Sequence, residues 1–240
     1  MLKIRNRIGI AESKYSGMDT FEECNDQKHF VNYPKKISYR YNSRGFRDHE
    51  WPQDLSDVIW CVGDSFTVGI GQPFEETWPR LLEKKLGKRC LNLGQDGCSN
   101  DTIAMRIKEI YKLHNPKLIV VMWSHLARRR VNGVNVRHDK KDFGNKEDMK
   151  NFVKNFQMVN ELPLPVVNTI IPQEVNGRTD LLDYFAKKKI TGNISWDLTV
   201  VEQLDYARDY HHFDIKTIEH FTNLIMEKIE NLDNSSKYPI

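Results

Sequence analysis

The sequence predicts an α/β fold with a central parallel β-sheet. Two unbroken apolar runs, residues 58–62 and 118–123, have the composition of strands that are buried on both faces of a sheet. Segments with helical periodicity alternate with the predicted strands, which is typical of parallel sheets covered by helices. Neither an internal repeat nor a linker divides the 240 residues. We therefore predict a single domain over residues 1–240, with residues 1–55 forming an N-terminal arm packed on it.

The predicted elements follow one another along most of the chain. The predicted strands span residues 58–62, 90–93, 118–123 and 166–171. The predicted helices span residues 78–86, 102–113, 146–160, 181–188 and 215–232. Thr77 and Pro79 mark the start of the first of these helices, and Gly87 marks its end. The last helix carries apolar residues at spacings of three and four, as a helix packed on a core requires.

The composition excludes several classes of protein. Charged residues make up 29% of the chain and hydrophobic residues 39%, which favours a folded domain over a disordered chain. A net charge of +3 is too small to indicate a nucleic-acid partner. The sequence has no apolar run of membrane-spanning length, and its N-terminus lacks the apolar core of a signal peptide. We therefore expect a soluble, cytoplasmic protein without a nucleic-acid or membrane partner.

The four cysteines do not indicate a metal site. Cys24, Cys61, Cys90 and Cys98 lack the paired spacing of metal ligands. Two of them fall in or beside predicted buried strands, where a thiol behaves as a small hydrophobic group. We predict reduced cysteines, no bound metal and no cofactor.

Ser65, which follows the first predicted strand in the segment Gly63-Asp64-Ser65, is a candidate for chemistry. Ligands of open α/β sheets bind at the carboxyl ends of the strands. Two simpler interpretations remain, since a serine after a strand is often a turn residue or the N-cap of the next helix. The nucleophile elbow Gly-x-Ser-x-Gly does not fit, because Thr67 occupies the position of the second glycine. A catalytic Ser65 therefore needs a base and an oxyanion site elsewhere.

Asp209 and His212 are candidates for that base and its partner. They lie three residues apart in a predicted loop before the last helix, so the carboxylate can support the imidazole. The alternatives are an ordinary surface loop or a partial metal site, although the neighbouring His211 and His212 do not naturally converge on one metal. The position of the pair supports a catalytic role. Asp209 and His212 follow the last predicted strand, and Gly63-Asp64-Ser65 follows the first.

At these residues the sequence resembles the SGNH (GDSL-type) hydrolases. Residues 62–67, Val-Gly-Asp-Ser-Phe-Thr, resemble the nucleophile block of that family. Residues 92–97, Asn-Leu-Gly-Gln-Asp-Gly, resemble its second block, and residues 209–212 its terminal Asp-x-x-His. Residues 42–47 and 76–79 resemble segments of members that carry an N-terminal arm. The matches occur in the order of the family.

The resemblance implies a three-layer α/β/α, flavodoxin-like fold that hydrolyses esters through a covalent acyl-enzyme. It implies that Ser65 is the nucleophile, His212 the base and Asp209 its orienting carboxylate. The implied oxyanion donors are the backbone N–H groups of Ser65 and Gly97. Glycine suits the second position because it permits unusual dihedral angles, and the helix predicted just after it favours negative charge there.

The third block departs from the family pattern. An asparagine side chain usually completes the oxyanion hole after the third strand, whereas residues 121–127 here read Val-Met-Trp-Ser-His-Leu-Ala. Ser124 or His125 could donate instead. Loss of one such donor typically lowers kcat by about 10²–10³, so an unfilled position predicts a slow enzyme. The arginines 128–130 could grip an anion, but we favour a solvated face for this charge run.

These residues support three classes of function. The first is a serine esterase acting on a small-molecule or carbohydrate ester, such as an O-acetyl group, with O-acyl transfer by the same triad as a variant. The second is a non-catalytic binding or structural protein, which the altered third block favours and the retained Asp209 and His212 disfavour. The third is a nucleic-acid binder using the arginines 128–130, which would bind with steep salt dependence and which the net charge disfavours.

Overall fold

Five parallel strands form the central sheet, and their order confirms the predicted α/β fold class. The computed structural model describes residues 19–137, 146–172 and 198–234. Its strands are β1 (Ile59–Gly63), β2 (Cys90–Gly94), β3 (Leu118–Trp123), β4 (Arg128–Val131), β5 (Val134–Arg137), β6 (Val166–Ile170) and β7 (Leu198–Val200). The main sheet has the order β2-β1-β3-β6-β7, with every neighbouring pair parallel. In this flavodoxin-like order, the direction of winding reverses between β1 and β3, and ligands bind at the carboxyl ends of the strands there.

Four of the α-helices lie close to their predicted positions, and two short ones, one before β1 and one directly after it, were not predicted. The α-helices in the described ranges are α1 (Gln27–Asn32), α2 (Ser65–Val68), α3 (Trp78–Leu86), α4 (Asn100–His114), α5 (Lys146–Asn160) and α6 (Ile215–Asn234). Helix α4 begins two residues earlier than predicted because Ser99 is its N-cap, with a side chain that accepts the N–H of Thr102. The helix predicted over residues 181–188 lies outside the described residues.

Both faces of the sheet are covered by helices, which produces three layers. Successive side chains of a strand point to opposite faces. Trp60 belongs to a buried cluster that contains side chains of α4 and α5, including Phe156. Cys61, on the opposite face, belongs to a second cluster with side chains of α3 and α6, including Phe221. Full burial of one such aromatic side chain stabilises the fold by roughly 1.5–3 kcal/mol.

The cysteines are all buried and none forms a disulfide, which confirms the prediction of reduced thiols. Cys61 and Cys90 lie within β1 and β2. Burial raises the pKa of the Cys61 thiol, and it raises the pKa of Cys98 to about 12. These side chains therefore pack as neutral hydrophobic groups.

One short strand and one hairpin of two strands are absent from the prediction. Strand β7 has only three residues, too few to produce a recognisable pattern, and it pairs with β6 at the edge of the sheet. Strands β4 and β5 form an antiparallel hairpin whose turn, Asn132-Gly133, has φ angles of 49° and 81°. Such left-handed pairs are typical of two-residue hairpin turns. The arginine run masked this signal, because its charge favoured a solvated segment.

Arg47, in the predicted N-terminal arm, is buried against the segment that follows β1. Its guanidinium donates to the backbone oxygens of Val68 (3.3 Å), Gly69 and Gln72 (2.7 Å). Burial lowers the pKa of Arg47, although Tyr39, Tyr41 and Asp19 act in the opposite direction. The arm thereby fixes the path of the chain directly after α2.

Candidate active site

Ser65 lies at the carboxyl end of β1, where the strand order reverses. It is the first residue of α2 and only 1% of its surface is exposed. The preceding residue, Asp64, caps this helix, because its Oδ1 accepts the N–H of Phe66 at 3.1 Å. A Cβ on Gly63 would lie 2.8 Å from the carbonyl oxygen of Met122. A side chain at position 63 would therefore separate β1 from β3 just before the serine.

The second sequence block is tied directly to the first. The N–H of Gln95 donates to the carbonyl of Gly63 at 3.1 Å. Gly97 follows with φ of 63°, in the left-handed region that favours glycine, two residues before the N-cap of α4. Within the described residues, neither Ser65 nor Gly97 donates its backbone N–H to a carbonyl. Both N–H groups therefore remain available for an oxyanion.

Asp209 and His212 share one hydrogen-bonded turn before α6. Oδ1 of Asp209 accepts the N–H groups of His211 (3.1 Å) and His212 (3.0 Å), while Oδ2 contacts Nδ1 of the His212 ring. The N–H of Ala207 donates to the carbonyl of His212 at 2.9 Å and closes the loop. Both side chains are buried. The carboxylate therefore orients the ring and holds a proton on Nδ1.

The ionisation of this pair follows from burial and mutual attraction. Burial alone would lower the pKa of His212, but the Asp209 carboxylate outweighs it, with further contributions from Asp64 and Asp96, so the pKa is raised above 6.5. Burial would raise the pKa of Asp209, but His212 and the backbone N–H groups outweigh it, so that pKa is lowered. Asp209 is therefore an anion at neutral pH.

Gly71 allows Asp209 to lie close to the segment after α2. Its carbonyl accepts the N–H of Arg208 at 3.0 Å, and its φ of 74° is in the left-handed region. A Cβ on Gly71 would lie 3.1 Å from Oδ1 of Asp209 and 2.9 Å from Cβ of Ala207. A side chain at position 71 would therefore push directly on the Asp209 loop.

Phe66, the residue after Ser65, joins α2 to this loop. Its ring centroid lies 4.5 Å from that of His212 and 4.6 Å from that of Phe213. Across the described part of the chain, Nε2 of His212 has no hydrogen-bond partner. The structure thus brings the Ser65 turn and the Asp209–His212 pair together, and it leaves Nε2 uncommitted.

Asp64 is the centre of a buried polar network that the sequence did not predict. Its Oδ2 accepts the hydroxyl of Ser124 at 2.6 Å and Nη1 of Arg128 at 2.7 Å. The side chain of Asp64 is 0% exposed and that of Arg128 is 11% exposed. The interpretation of this arginine as part of a solvated face is therefore wrong. The turn after β3, which the N–H of Arg128 closes on the carbonyl of His125 at 3.0 Å, brings Arg128 back to the end of β1.

The third block is held by hydrogen bonds of its own. Because Ser124 donates to Asp64, its hydroxyl proton is not available as the predicted oxyanion donor. Oδ1 of Asn100 accepts the N–H of Ser124 at 2.8 Å, and its Nδ2 donates to the carbonyl of His125 at 3.2 Å. His125 is buried with its ring centroid 6.4 Å from that of Phe66. Asn100 comes from α4, so the third block itself holds no signal for it.

The predicted arm also braces the loop of Asp209 and His212. Arg208 donates to Asp19 through two nitrogens, Nε to Oδ1 at 2.8 Å and Nη2 to Oδ2 at 2.6 Å. Nε2 of His29 lies 2.9 Å from the carbonyl oxygen of Ala207. The sequence did not indicate these contacts, because each joins segments more than a hundred residues apart.

The described ranges contain neither a candidate metal centre nor a membrane-crossing helix. No group of three or more His, Cys, Asp or Glu side chains in those ranges could hold a metal ion. None of the helices there combines the length and apolar character that a membrane crossing needs.

No family model and no curated protein matches the chain. The chain is similar to several solved structures. One is a family two carbohydrate esterase from Clostridium thermocellum in complex with cellohexaose. Its TM-score is 0.48, and the two sequences are 15% identical over 76% of this chain and 66% of that chain. A lipase/acylhydrolase from Enterococcus faecalis has a TM-score of 0.48 and 16% identity over 73% of this chain and 96% of that chain. A member of the lipolytic protein G-D-S-L family from Veillonella parvula has a TM-score of 0.45 and 17% identity over 71% and 96%. These TM-scores are too low to assign an activity, so function must be inferred from the residues of the site.

Proposed function

We propose that this protein is a serine esterase that cleaves a small acyl ester through an acyl-enzyme. The observation that supports this best is the Asp209–His212 pair, in which Nδ1 contacts a carboxylate and Nε2 is left open beside the Ser65 turn. A serine hydroxyl is a poor nucleophile unless a base removes its proton. A buried imidazole that a carboxylate orients is such a base.

The proposed reaction has two steps. Nε2 of His212 takes the proton of the Ser65 hydroxyl while Oγ attacks the acyl carbon, and His212 then protonates the leaving alkoxide. In the second step, Nε2 takes a proton from water, which attacks the acyl carbon. The bond between Oγ of Ser65 and the acyl carbon then breaks, Oγ takes the proton back from Nε2, and the acid leaves. Asp209 stabilises the imidazolium in both steps.

The backbone N–H groups of Ser65 and Gly97 are the proposed oxyanion donors. In the described residues, neither N–H group donates to a backbone carbonyl. The N-terminus of the 15-residue helix α4, which favours negative charge, lies just after Gly97. The hydroxyl of Ser124 is bound to Asp64 and does not add a third donor. Since one donor is worth about 10²–10³ in kcat, we expect a slow esterase.

A short acyl group fits this site best. Ser65 is almost completely buried, and the ring of the neighbouring Phe66 packs on that of His212 with centroids 4.5 Å apart, so a long acyl chain would require the site to open. We therefore propose an acetyl ester of a small molecule or of a carbohydrate hydroxyl as the substrate class. Transfer of the acyl group to a sugar hydroxyl would use the same residues, and product analysis with and without an acceptor sugar separates transfer from hydrolysis.

The experiment is hydrolysis of p-nitrophenyl acetate by the wild-type protein, Ser65→Ala and a matched control, Ser56→Ala. Ser56 lies in an exposed loop before β1. We expect wild-type turnover to disappear in Ser65→Ala and to persist in Ser56→Ala. A fluorophosphonate probe should add its mass to the peptide that contains Ser65.

The rival is a non-catalytic binding protein, which the commitment of Ser124 to Asp64 favours. It predicts background hydrolysis in all three proteins and no probe mass on Ser65. That combination of results would replace the esterase proposal.

A further inference from the structure

The ion pair of Asp64 and Arg128 has no part in the reaction steps proposed above. The Asp64 carboxylate receives three donors, the N–H of Phe66, the hydroxyl of Ser124 and Nη1 of Arg128. Nη1 of Arg128 lies 2.7 Å from Oδ2 of Asp64, whose side chain is fully buried. Opposite charges this close inside a protein cancel much of each other's field.

The turn before β4 and a contact of β4 with α4 fix where this guanidinium lies. The N–H of Arg128 donates to the carbonyl of His125 at 3.0 Å, which places the start of β4 beside the third block. Two residues later, the N–H of Arg130 donates to Oδ2 of Asp101 on α4 at 3.0 Å. Nη1 of Arg128 lies 3.1 Å from Oγ of Ser124 as well as 2.7 Å from Asp64. Arg128 therefore reaches Asp64 from a strand whose backbone is held at positions 128 and 130.

Several titratable groups face His212, and the carboxylates among them act on its pKa. Asp209 and His211 lie on the loop of His212 itself, with the His211 ring centroid 4.9 Å from that of His212. Asp64 after β1 and Asp96 after β2 add negative potential at the imidazole. From the third block, His125 faces the same Phe66 ring that His212 contacts. The charge of Asp64 thus matters at the base as well as at the serine.

We propose that Arg128 is a positioning residue of this site. Its guanidinium holds Asp64 as the cap of the Ser65 turn, and it neutralises that carboxylate so that Asp209 remains the dominant charge on His212. The link to catalysis rests on the proposed esterase function, whereas the link to the charge of His212 does not.

The test is an NMR titration of the His212 imidazole in the wild-type protein and in Arg128→Met. Loss of the guanidinium leaves Asp64 uncompensated, so we expect the pKa of His212 to rise by about one pH unit. The ascending limb of kcat/KM against pH should move upward by the same amount. Arg130→Met removes a charge from the same strand but not from Asp64, and it should leave the pKa unchanged. Arg128→Lys keeps the charge and should restore the wild-type value.

Two further variants keep the test decisive if Arg128→Met does not fold. Arg128→Gln can still donate to Asp64 but carries no charge, so it should produce the same upward shift. Asp64→Asn leaves Arg128 uncompensated and should move the pKa of His212 downward. A pKa of His212 that stays unchanged in both variants would overturn the proposal.

The titration requires no turnover, which separates the two proposals. Absence of hydrolysis in the wild-type protein would reject the esterase function and leave the effect of Arg128 on His212 to be decided by NMR. An active wild-type enzyme with an unchanged titration in the Arg128 and Asp64 variants would reject the role of Arg128 alone.

Discussion

Asp209 holds His212 at two places, its ring and its backbone. Oδ2 contacts Nδ1, and Oδ1 accepts the N–H of the same histidine at 3.0 Å. Because the two residues are three apart in the chain, a single tight turn fixes the imidazole. The position of the turn relative to Ser65 is fixed separately, by Gly71, Phe66 and the contacts of Arg208.

Asp209→Asn should nearly abolish esterase activity while the protein stays folded. An amide at this position no longer stabilises the imidazolium and can present its NH₂ group to Nδ1, which favours the wrong tautomer. We expect kcat to fall by about 10⁴. Steady-state kinetics with p-nitrophenyl acetate measures this, and Asp54→Asn in an exposed loop is the control. Equal activity of the two variants would contradict the role of Asp209.

The pH dependence of kcat/KM should report the raised pKa of His212. The base works only when neutral, so activity should rise with pH through an apparent pKa above 6.5. In Asp209→Asn, burial acts without the carboxylate, and the residual activity should begin at lower pH. His211→Asn should leave the rising limb in place. A wild-type limb at or below pH 6.5 would speak against this electrostatic account.

Gly71→Ala should reduce both stability and activity. The new Cβ would lie 3.1 Å from Oδ1 of Asp209, and the backbone would be strained at φ of 74°. Strain of this kind costs about 1–3 kcal/mol. Gly87→Ala is the matched control, because it has φ of 64° but nothing within 4 Å of the added methyl group. Denaturant unfolding should show that backbone strain destabilises both variants. The value of kcat should fall in Gly71→Ala alone.

The pair of Asp19 and Arg208 should contribute to folding as a unit. Asp19 is buried and accepts two hydrogen bonds from the guanidinium, so we expect a coupling of about 1–3 kcal/mol in a double-mutant cycle to alanine. The exposed pair of Lys117 and Asp57, at 3.2 Å, should show coupling near zero. Equal coupling in the two cycles, measured by urea unfolding, would show that the arm does not brace the loop.

The sequence was sufficient to predict the parts of the fold that depend on local pattern. Apolar runs mark β1 and β3, and capping residues mark the ends of α3 and α4 within two residues. Asp209 and His212 were identified because their partnership is local, within one turn. In each case, the chemistry that determines the structure lies within a few neighbouring positions.

Contacts between distant segments could not be predicted in this way. Arg128 was interpreted as solvated because its neighbours are charged, whereas the turn that its N–H closes on the carbonyl of His125 brings it to Asp64. Asn100 supports the third block from another helix. The short strand β7 forms because β6 offers an open edge, which its own three residues do not reveal.

The brace between Asp19 and Arg208 joins positions that are 189 residues apart. Closing a loop of this length costs more entropy than closing the shorter loops between neighbouring strands, so we expect this contact to form after them. The sheet can therefore assemble before the histidine loop is locked in place. During refolding, we expect the fluorescence of the buried tryptophans to recover before esterase activity does.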